Sequence, residues 1–115
     1  MEEPVLAAPV APFRVDVHPE RDVVRVAPAG ELDLTTVCVV DGQVANLRAA
    51  GFGQLVLDLR AVSFMDTTGL QLVLALDAAA RTDGVELGLI PGPPAVQRVF
   101  ELCGVLDWLP FRPLG

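Results

Sequence analysis

The sequence predicts an α/β domain built on a mostly parallel β-sheet. Short runs rich in valine and leucine alternate with segments whose apolar residues recur at helical spacing, in the order β-β-α-β-α-β-α-β. Residues 55–59 form an almost wholly apolar run, which is typical of a central strand covered on both faces. Because strands separated by helices need crossover connections, we expect neighbouring strands to run parallel.

The first half of the domain is predicted to hold a strand pair followed by a helix. Valines flank a polar turn at residues 18–22, which is the pattern of two paired strands. Between residues 35 and 50 the apolar side chains are spaced three or four residues apart, so this segment is predicted to be helical. Thr35 or Thr36 can cap its start, and Gly51 supplies its stop.

The second half alternates between strands and helices. In order, we expect a strand at 55–59, a loop at 60–65, a helix from Asp66 to Asp83, a strand at 85–90, a helix opened by the prolines at 91–94, and a last short strand or docked segment at 106–111. Asp66 is a natural N-cap, because its carboxylate can accept hydrogen bonds from first-turn amides. Gly84 and Gly104 follow the two helices as C-terminal stops.

The charge of the chain excludes several classes of function. The 115 residues include 8 basic and 15 acidic side chains, a net charge of −7, and every basic residue is arginine. Without lysine the chain has no Walker A lysine, Schiff base or lysine general base. The pI near 4.4 and the lack of an arginine-rich run argue against binding to nucleic acid or to anionic lipid. We therefore expect neither a direct nucleic-acid partner nor a membrane.

Length and hydropathy indicate one domain. Residues 1–11 are predicted to be a disordered N-terminal tail, and residues 12–115 a single domain. The mean hydropathy is high, +0.51, yet no stretch approaches the ~18 apolar residues of a membrane span. The acidic, proline-containing start lacks the pattern of a secretory signal, so we expect a cytoplasmic protein. Cys38 and Cys103 show no pairing pattern and are predicted to be buried, reduced thiols.

The loop at residues 63–70, Ser-Phe-Met-Asp-Thr-Thr-Gly-Leu, is the strongest candidate for function. It follows a central strand and opens a helix, where ligand sites of parallel sheets concentrate. With Asp66 as N-cap, Thr67 and Thr68 lie in the first helical turn, where the helix dipole favours a phosphate. We therefore consider phosphorylation of a hydroxyl, with simple helix capping as the alternative. Gly69 is expected to leave room for a partner's active site.

Two further patterns surround this loop. An uncharged stripe runs along the helix and consists of Thr68, Gln71, Ala75, Ala78 and Thr82, which either a docked partner or a solvated alanine-rich face explains. Three carboxylates, those of Asp33, Asp58 and Asp66, end neighbouring segments and are able to hold a divalent cation if they converge. Because Asp33 can equally cap the first helix, we predict no metal and place Asp33 at the rim of the loop.

Four stretches of the chain match a known family. These are Gly-Glu-Leu-Asp at 30–33, the apolar strand at 55–59, Val-Ser-Phe-Met-Asp-Thr-Thr-Gly-Leu at 62–70, and Pro-Pro-Ala-Val-Gln-Arg-Val-Phe at 93–100 with Gly-Val at 104–105. With them the chain resembles a STAS domain of the bacterial anti-sigma factor antagonist type over residues 12–112. The resemblance implies a small mixed sheet with helices packed on one side.

The same resemblance implies a function in partner switching. Such an antagonist, when unphosphorylated, binds an anti-sigma factor that is also an ATP-dependent serine/threonine kinase, and so frees a sigma factor. Phosphorylation of the second hydroxyl of the motif, here Thr68 with Thr67 as the alternative, ends the complex, and a protein phosphatase restores it. The chain is then a kinase substrate and not an enzyme, and it needs no cofactor. The partner surface is assigned to Asp33, Asp66, Thr67, Thr68, Gly69, Gln71, Ala75 and Ala78.

The chain departs from the family at its acceptor. Two threonines stand where two serines are usual, and a β-branched acceptor is stiffer and more crowded, so phosphorylation is expected to be slower or absent. A constitutive interaction subunit of a transporter or stress-signalling assembly is therefore the alternative function. The chain has no lysine or glycine-rich cradle that would hold a nucleotide. It also lacks the lysine and the acidic pair that a two-component receiver domain needs.

Overall fold

A computed structural model describes residues 12–112 as a five-stranded mixed sheet with three helices. The strands are β1 (Arg14–Glu20), β2 (Val23–Leu32), β3 (Gln54–Asp58), β4 (Val62–Met65) and β5 (Glu86–Ile90). The helices are α1 (Val37–Ala49), α2 (Thr67–Asp83) and α3 (Pro94–Leu102), followed by a 3₁₀ turn at Leu106–Trp108. The predicted α/β fold class is confirmed. The predicted tail at 1–11 lies outside the described residues, so the division into tail and domain stays a prediction.

The long strand β2 organises the sheet. It pairs antiparallel with β1 and parallel with β3, and β3 pairs parallel with β5, giving the order β1-β2-β3-β5. Beyond its pairing with β3, β2 continues and pairs parallel with β4, with Leu32 opposite Met65. The register shifts between Gly30 and Glu31, and Gly30 has a φ of +117°, a conformation that favours glycine. This extension carries the end of β2 to the start of α2.

The core lies between the sheet and a layer of helices on one face. Side chains alternate along the strands, so Val24 and Val26 of β2 and Leu57 of β3 point to the same buried face. Phe100 of α3 is fully buried there, and α2 contacts both α1 and α3. The position of the helices on one side agrees with the arrangement that the resemblance implies.

One strand differs from the sequence prediction. Residues 62–65, predicted as a loop, form β4. Its ends, Val62 and Met65, are buried while the two residues between them are exposed, so the strand has no alternating pattern. Its partner β2 is some thirty residues earlier in the chain, and this long-range pairing leaves no local signal.

Two other predictions concern the C-terminal segment and the cysteines. Of the two readings for residues 106–111, the docked segment is correct: Phe111 makes an isolated bridge to Leu89 at the edge of β5. The prediction of buried thiols is wrong, because Cys38 and Cys103 are both exposed. Cys38 lies in the first turn of α1, and Cys103 lies at the end of α3, where neither is covered by the core.

Candidate functional site

The candidate site lies where β2 and β4 end and α1 and α2 begin. The amide of Asp66 donates to the carbonyl of Leu32, 3.4 Å away, and this joins the two segments. Asp66 is the N-cap of α2, as predicted: its Oδ1 accepts from the amides of Thr68 at 2.9 Å and Gly69 at 3.1 Å. These two amides are therefore already satisfied. A phosphate on Thr68 does not find these two amides free.

The hydroxyl groups of the chain fall into two sets. Three threonine hydroxyls donate hydrogen bonds within the chain: Thr35 to Asp33 Oδ1, Thr36 to the Glu31 carbonyl, and Thr82 to the Ala78 carbonyl. Ser63, Thr67 and Thr68 make no side-chain hydrogen bond to any residue in the range 12–112. Ser63 and Thr67 are exposed, and Thr68 is half-buried. The loop that the sequence singled out thus carries the hydroxyls that remain free to react.

A groove separates the first turns of α1 and α2. Both helices follow parallel strands of one sheet and therefore begin at the same end of it. The groove has a volume of about 400 Å³ and is open to solvent. Its lining side chains are mostly apolar: Val37, Cys38, Asp41, Thr68, Gln71, Leu72 and Ala75. The Thr68 hydroxyl therefore lies in a recess that a partner can enter, and the chain does not seal it.

The predicted stripe meets this groove over part of its length. Thr68, Gln71 and Ala75 line the groove, and Ala78 is exposed one turn further along α2. The opposite wall, formed by Val37, Cys38 and Asp41 of α1, was not part of the sequence prediction. Residues at positions i, i+1 and i+4 lie on one face of a helix, so these three side chains share a face of α1. Only the packing of α1 beside α2 shows that this face belongs to the site.

Gly69 lies on the other side of α2. It is buried, and a Cβ built on it meets Met65 Cγ at 2.5 Å and the Leu32 carbonyl oxygen at 2.9 Å. Glycine is needed here because the first turn of α2 lies directly against the end of β2. A side chain at position 69 would therefore clash with the end of β2, and glycine permits this close packing. The predicted place of Gly69 on the partner surface stays a prediction.

Asp33 stabilises the turn before α1. Its Oδ1 accepts from the Thr35 hydroxyl at 2.7 Å and from the Thr35 amide at 2.9 Å. These hydrogen bonds from Thr35 lower the pKa of the Asp33 carboxyl below its usual 3.8, so the group stays charged. Because Asp33 directly follows Leu32, it lies at the same end of the sheet as Asp66.

The third predicted carboxylate, Asp58, belongs to a different region. It is almost fully buried, and it accepts hydrogen bonds from Arg60 at 2.8 and 2.9 Å and from Arg25 at 3.0 Å. Burial raises the pKa of Asp58, but the hydrogen bonds and charge of Arg60 and the hydrogen bond from Arg25 outweigh it and hold the pKa below 3.8. Within residues 12–112, no three side chains of His, Cys, Asp or Glu gather as a metal ion requires.

Apolar side chains stand exposed in the segments that lead into α1 and α2. Leu34, in the turn before α1, is 74% exposed, and Phe64 of β4 is 48% exposed. A sequence pattern does not reveal such exposure, because leucine and phenylalanine are read as core residues. Of the helices in the described part of the chain, none combines the length and apolar character that a membrane crossing requires.

The fold and the groove define a class of small mixed-sheet domain, with helices layered on one face and a site at the start of the second helix. Comparison with known sequences gives the family: the chain belongs to the STAS domain family, whose model matches residues 14–114. The curated relatives include an anti-sigma-B factor antagonist of Staphylococcus aureus, 32% identical over 78 residues, which are 68% of this chain and 72% of that protein.

Solved structures support the same assignment. An anti-sigma factor antagonist from Mycobacterium paratuberculosis superposes with a TM-score of 0.75 at 27% identity, covering 95% of this chain and 92% of that one. The Bacillus cell fate determinant SpoIIAA in its phosphorylated form superposes with a TM-score of 0.64 at 22% identity, covering 89% and 92%. At that identity the second likeness concerns the fold alone.

Proposed function

We propose that this chain is an anti-sigma factor antagonist that phosphorylation of Thr68 switches off. Its partner is an anti-sigma factor with ATP-dependent protein kinase activity, and a protein phosphatase reverses the modification. The chain supplies no catalysis and needs no cofactor, and it acts in the cytoplasm. The names of its relatives, which are antagonists of anti-sigma factors, support the antagonist function. The observation that supports the phosphorylation switch is the free Thr68 hydroxyl in an open groove.

The partner surface we propose is the end of the domain around Thr68. It combines the predicted residues Asp33, Asp66, Thr67, Gln71, Ala75 and Ala78 with the exposed side chains of Leu34 and Phe64. Apolar side chains in the centre of an interface contribute most of its free energy, and the polar rim sets orientation. Gly69 contributes indirectly, because it allows the first turn of α2 to lie against β2.

Phosphorylation changes the charge of the groove. The γ-phosphoryl group of ATP forms a bond to Oγ1 of Thr68, the bond to ADP breaks, and the hydroxyl proton passes to the kinase. The product adds about −1.5 to −2 charges at pH 7. Because Asp66 already occupies the nearest amides and Asp41 lines the same groove, the phosphate gains little from the chain itself. Covering this unpaired dianion with a partner costs several kcal/mol, so the complex dissociates.

The test uses the chain, its kinase and ATP. We expect intact-mass spectrometry to show one added phosphate on the wild-type chain and none on Thr68→Ala. Thr67→Ala and Ser63→Ala are matched controls, because they remove the other two free hydroxyls and should retain the modification. Loss of the phosphate in a control variant, with retention in Thr68→Ala, contradicts the assignment.

One observation favours an alternative function. The acceptor is a half-buried threonine, whose branched side chain has restricted rotation and crowds the attacking oxygen. If the wild-type chain binds a transporter or stress-signalling component and no kinase modifies it, the chain is a constitutive interaction subunit. Affinity for that component should then be the same before and after incubation with kinase and ATP.

A further inference from the structure

The groove between α1 and α2 contains one charged side chain, which is not among the partner-surface residues proposed above. Asp41 of α1 lines the groove together with apolar side chains and the amide of Gln71. Its carboxylate makes no hydrogen bond or ion pair with any residue between 12 and 112. It is therefore the single charge in the lining, and it has no neutralising neighbour there.

This property separates Asp41 from most other aspartates. Six of the nine are paired or hydrogen-bonded within the chain: Asp16, Asp33, Asp58, Asp66, Asp77 and Asp83. Of the remaining three, Asp22 lies in the turn between β1 and β2 and Asp107 in the 3₁₀ turn. Among residues 12–112, Asp41 alone combines a carboxylate without a partner and a position in a recess of about 400 Å³.

No positively charged side chain of the groove lining compensates Asp41. The side chains facing it from α2 are Thr68, Gln71, Leu72 and Ala75, none of which is charged. The arginine of α1, Arg48, pairs with Asp83 at the far end of the two helices. The side-chain charge of the lining is therefore negative, and it has the same sign as the net charge of the chain, −7.

We infer that this groove receives a segment of the anti-sigma kinase in which an arginine or lysine stands beside an aliphatic side chain. The cation meets the Asp41 carboxylate, and the aliphatic side chain lies against Val37, Leu72 and Ala75. The argument is charge complementarity: an apolar recess with one negative group favours an occupant with one positive group. The inference rests on the proposed function, and it assigns partner specificity to α1, whereas the phosphate switch lies on α2.

The first experiment measures binding of the unphosphorylated chain to the kinase that modifies it. We expect Asp41→Asn to weaken binding about tenfold and to reduce the decrease in affinity between 50 and 500 mM salt, because the lost interaction is electrostatic. Asp22→Asn is the matched control: it changes the net charge equally, lies in the turn at the opposite end of β2, and should bind as the wild type does. Equal affinity of the wild type and Asp41→Asn overturns the inference.

A second experiment needs no kinase, so it separates failure of this inference from failure of the proposed function. Random peptides displayed on phage are selected on the wild-type chain and then tested on Asp41→Asn and Asp22→Asn. We expect enriched peptides to carry arginine or lysine next to leucine, isoleucine or valine, and to lose binding only on Asp41→Asn. Enrichment of peptides without a basic residue, or equal binding to all three chains, overturns the inference even where Thr68 is phosphorylated.

Discussion

Two regions of this domain differ in whether their polar groups have hydrogen-bond partners within the chain. On one face of the sheet, Asp58 accepts hydrogen bonds from Arg25 and Arg60, so a buried charge is fully satisfied. In the groove between the helices, the Thr68 hydroxyl and the Asp41 carboxylate have no side-chain partner among residues 12–112. A buried charge whose hydrogen bonds are satisfied has a structural role, whereas groups without partners in a recess are available for binding and modification. The two regions should therefore respond differently to substitution.

The largest expected effect is on stability, at Asp58. Replacing it with alanine leaves two guanidinium groups without their shared carboxylate, and we expect the free energy of unfolding to fall by about 3 kcal/mol. Denaturant unfolding measures this loss. Asp16→Ala is the control, because its pair with Arg14 is exposed and should contribute under about 1 kcal/mol. Similar losses in the two variants contradict a special role for the buried cluster.

A second prediction concerns the packing that positions the groove. Gly69→Ala places a Cβ within 3 Å of the Leu32 carbonyl oxygen, so the first turn of α2 must shift, and we expect a loss of about 2 kcal/mol. Gly42→Ala is the matched control in α1, where a Cβ has nothing within 4 Å. That change should stabilise the chain by up to about 1 kcal/mol through helix propensity. If both substitutions stabilise the chain, α2 does not depend on close contact with β2.

The third prediction concerns a substitution in the groove, which should weaken binding and leave stability nearly unchanged. Thr68→Glu places a charge in the groove, and we expect affinity for the anti-sigma kinase to fall by about 1–3 kcal/mol. The free energy of unfolding should change by less than about 0.5 kcal/mol. Thr82→Glu adds the same charge at the other end of α2 and should bind normally; calorimetric titration of both variants makes the comparison. Equal weakening by the two variants indicates a general charge effect.

Local rules were enough to predict much of α2. Asp66 as N-cap and Gly84 as the left-handed stop depend only on neighbouring residues, and both are confirmed. The alternation of apolar strands and helices likewise predicted the α/β class. The free hydroxyls of Thr67 and Thr68 follow from the same helix start, because the Asp66 carboxylate takes the amides and leaves the hydroxyls without partners.

Features that depend on distant contacts were not predictable in this way. Strand β4 forms because the end of β2 offers a partner, and residues 62–65 alone show no strand pattern. The ion pair between Asp58 and Arg25 joins residues 33 positions apart. To predict the groove wall that contains Cys38 and Asp41, one must know how α1 packs against α2. Cys38 is exposed on this wall, whereas the sequence predicted that it is buried.

The smallest expected effect is a pH dependence of stability that comes from Asp58. The pKa of Asp58 is lowered in the folded chain, so between its folded value and 3.8 the unfolded chain binds more protons than the folded one. The stabilisation from Asp58 is therefore complete above its unfolded pKa and is lost as the pH falls through the folded value. Asp58→Asn cannot titrate at this position and serves as the reference.

We expect the difference in unfolding free energy between the wild type and Asp58→Asn to be constant near neutral pH and to shrink as the pH falls below 3.8, measured by denaturant unfolding at a series of pH values. A difference that stays the same at every pH below 3.8 contradicts the stabilising role assigned to the Asp58 carboxylate.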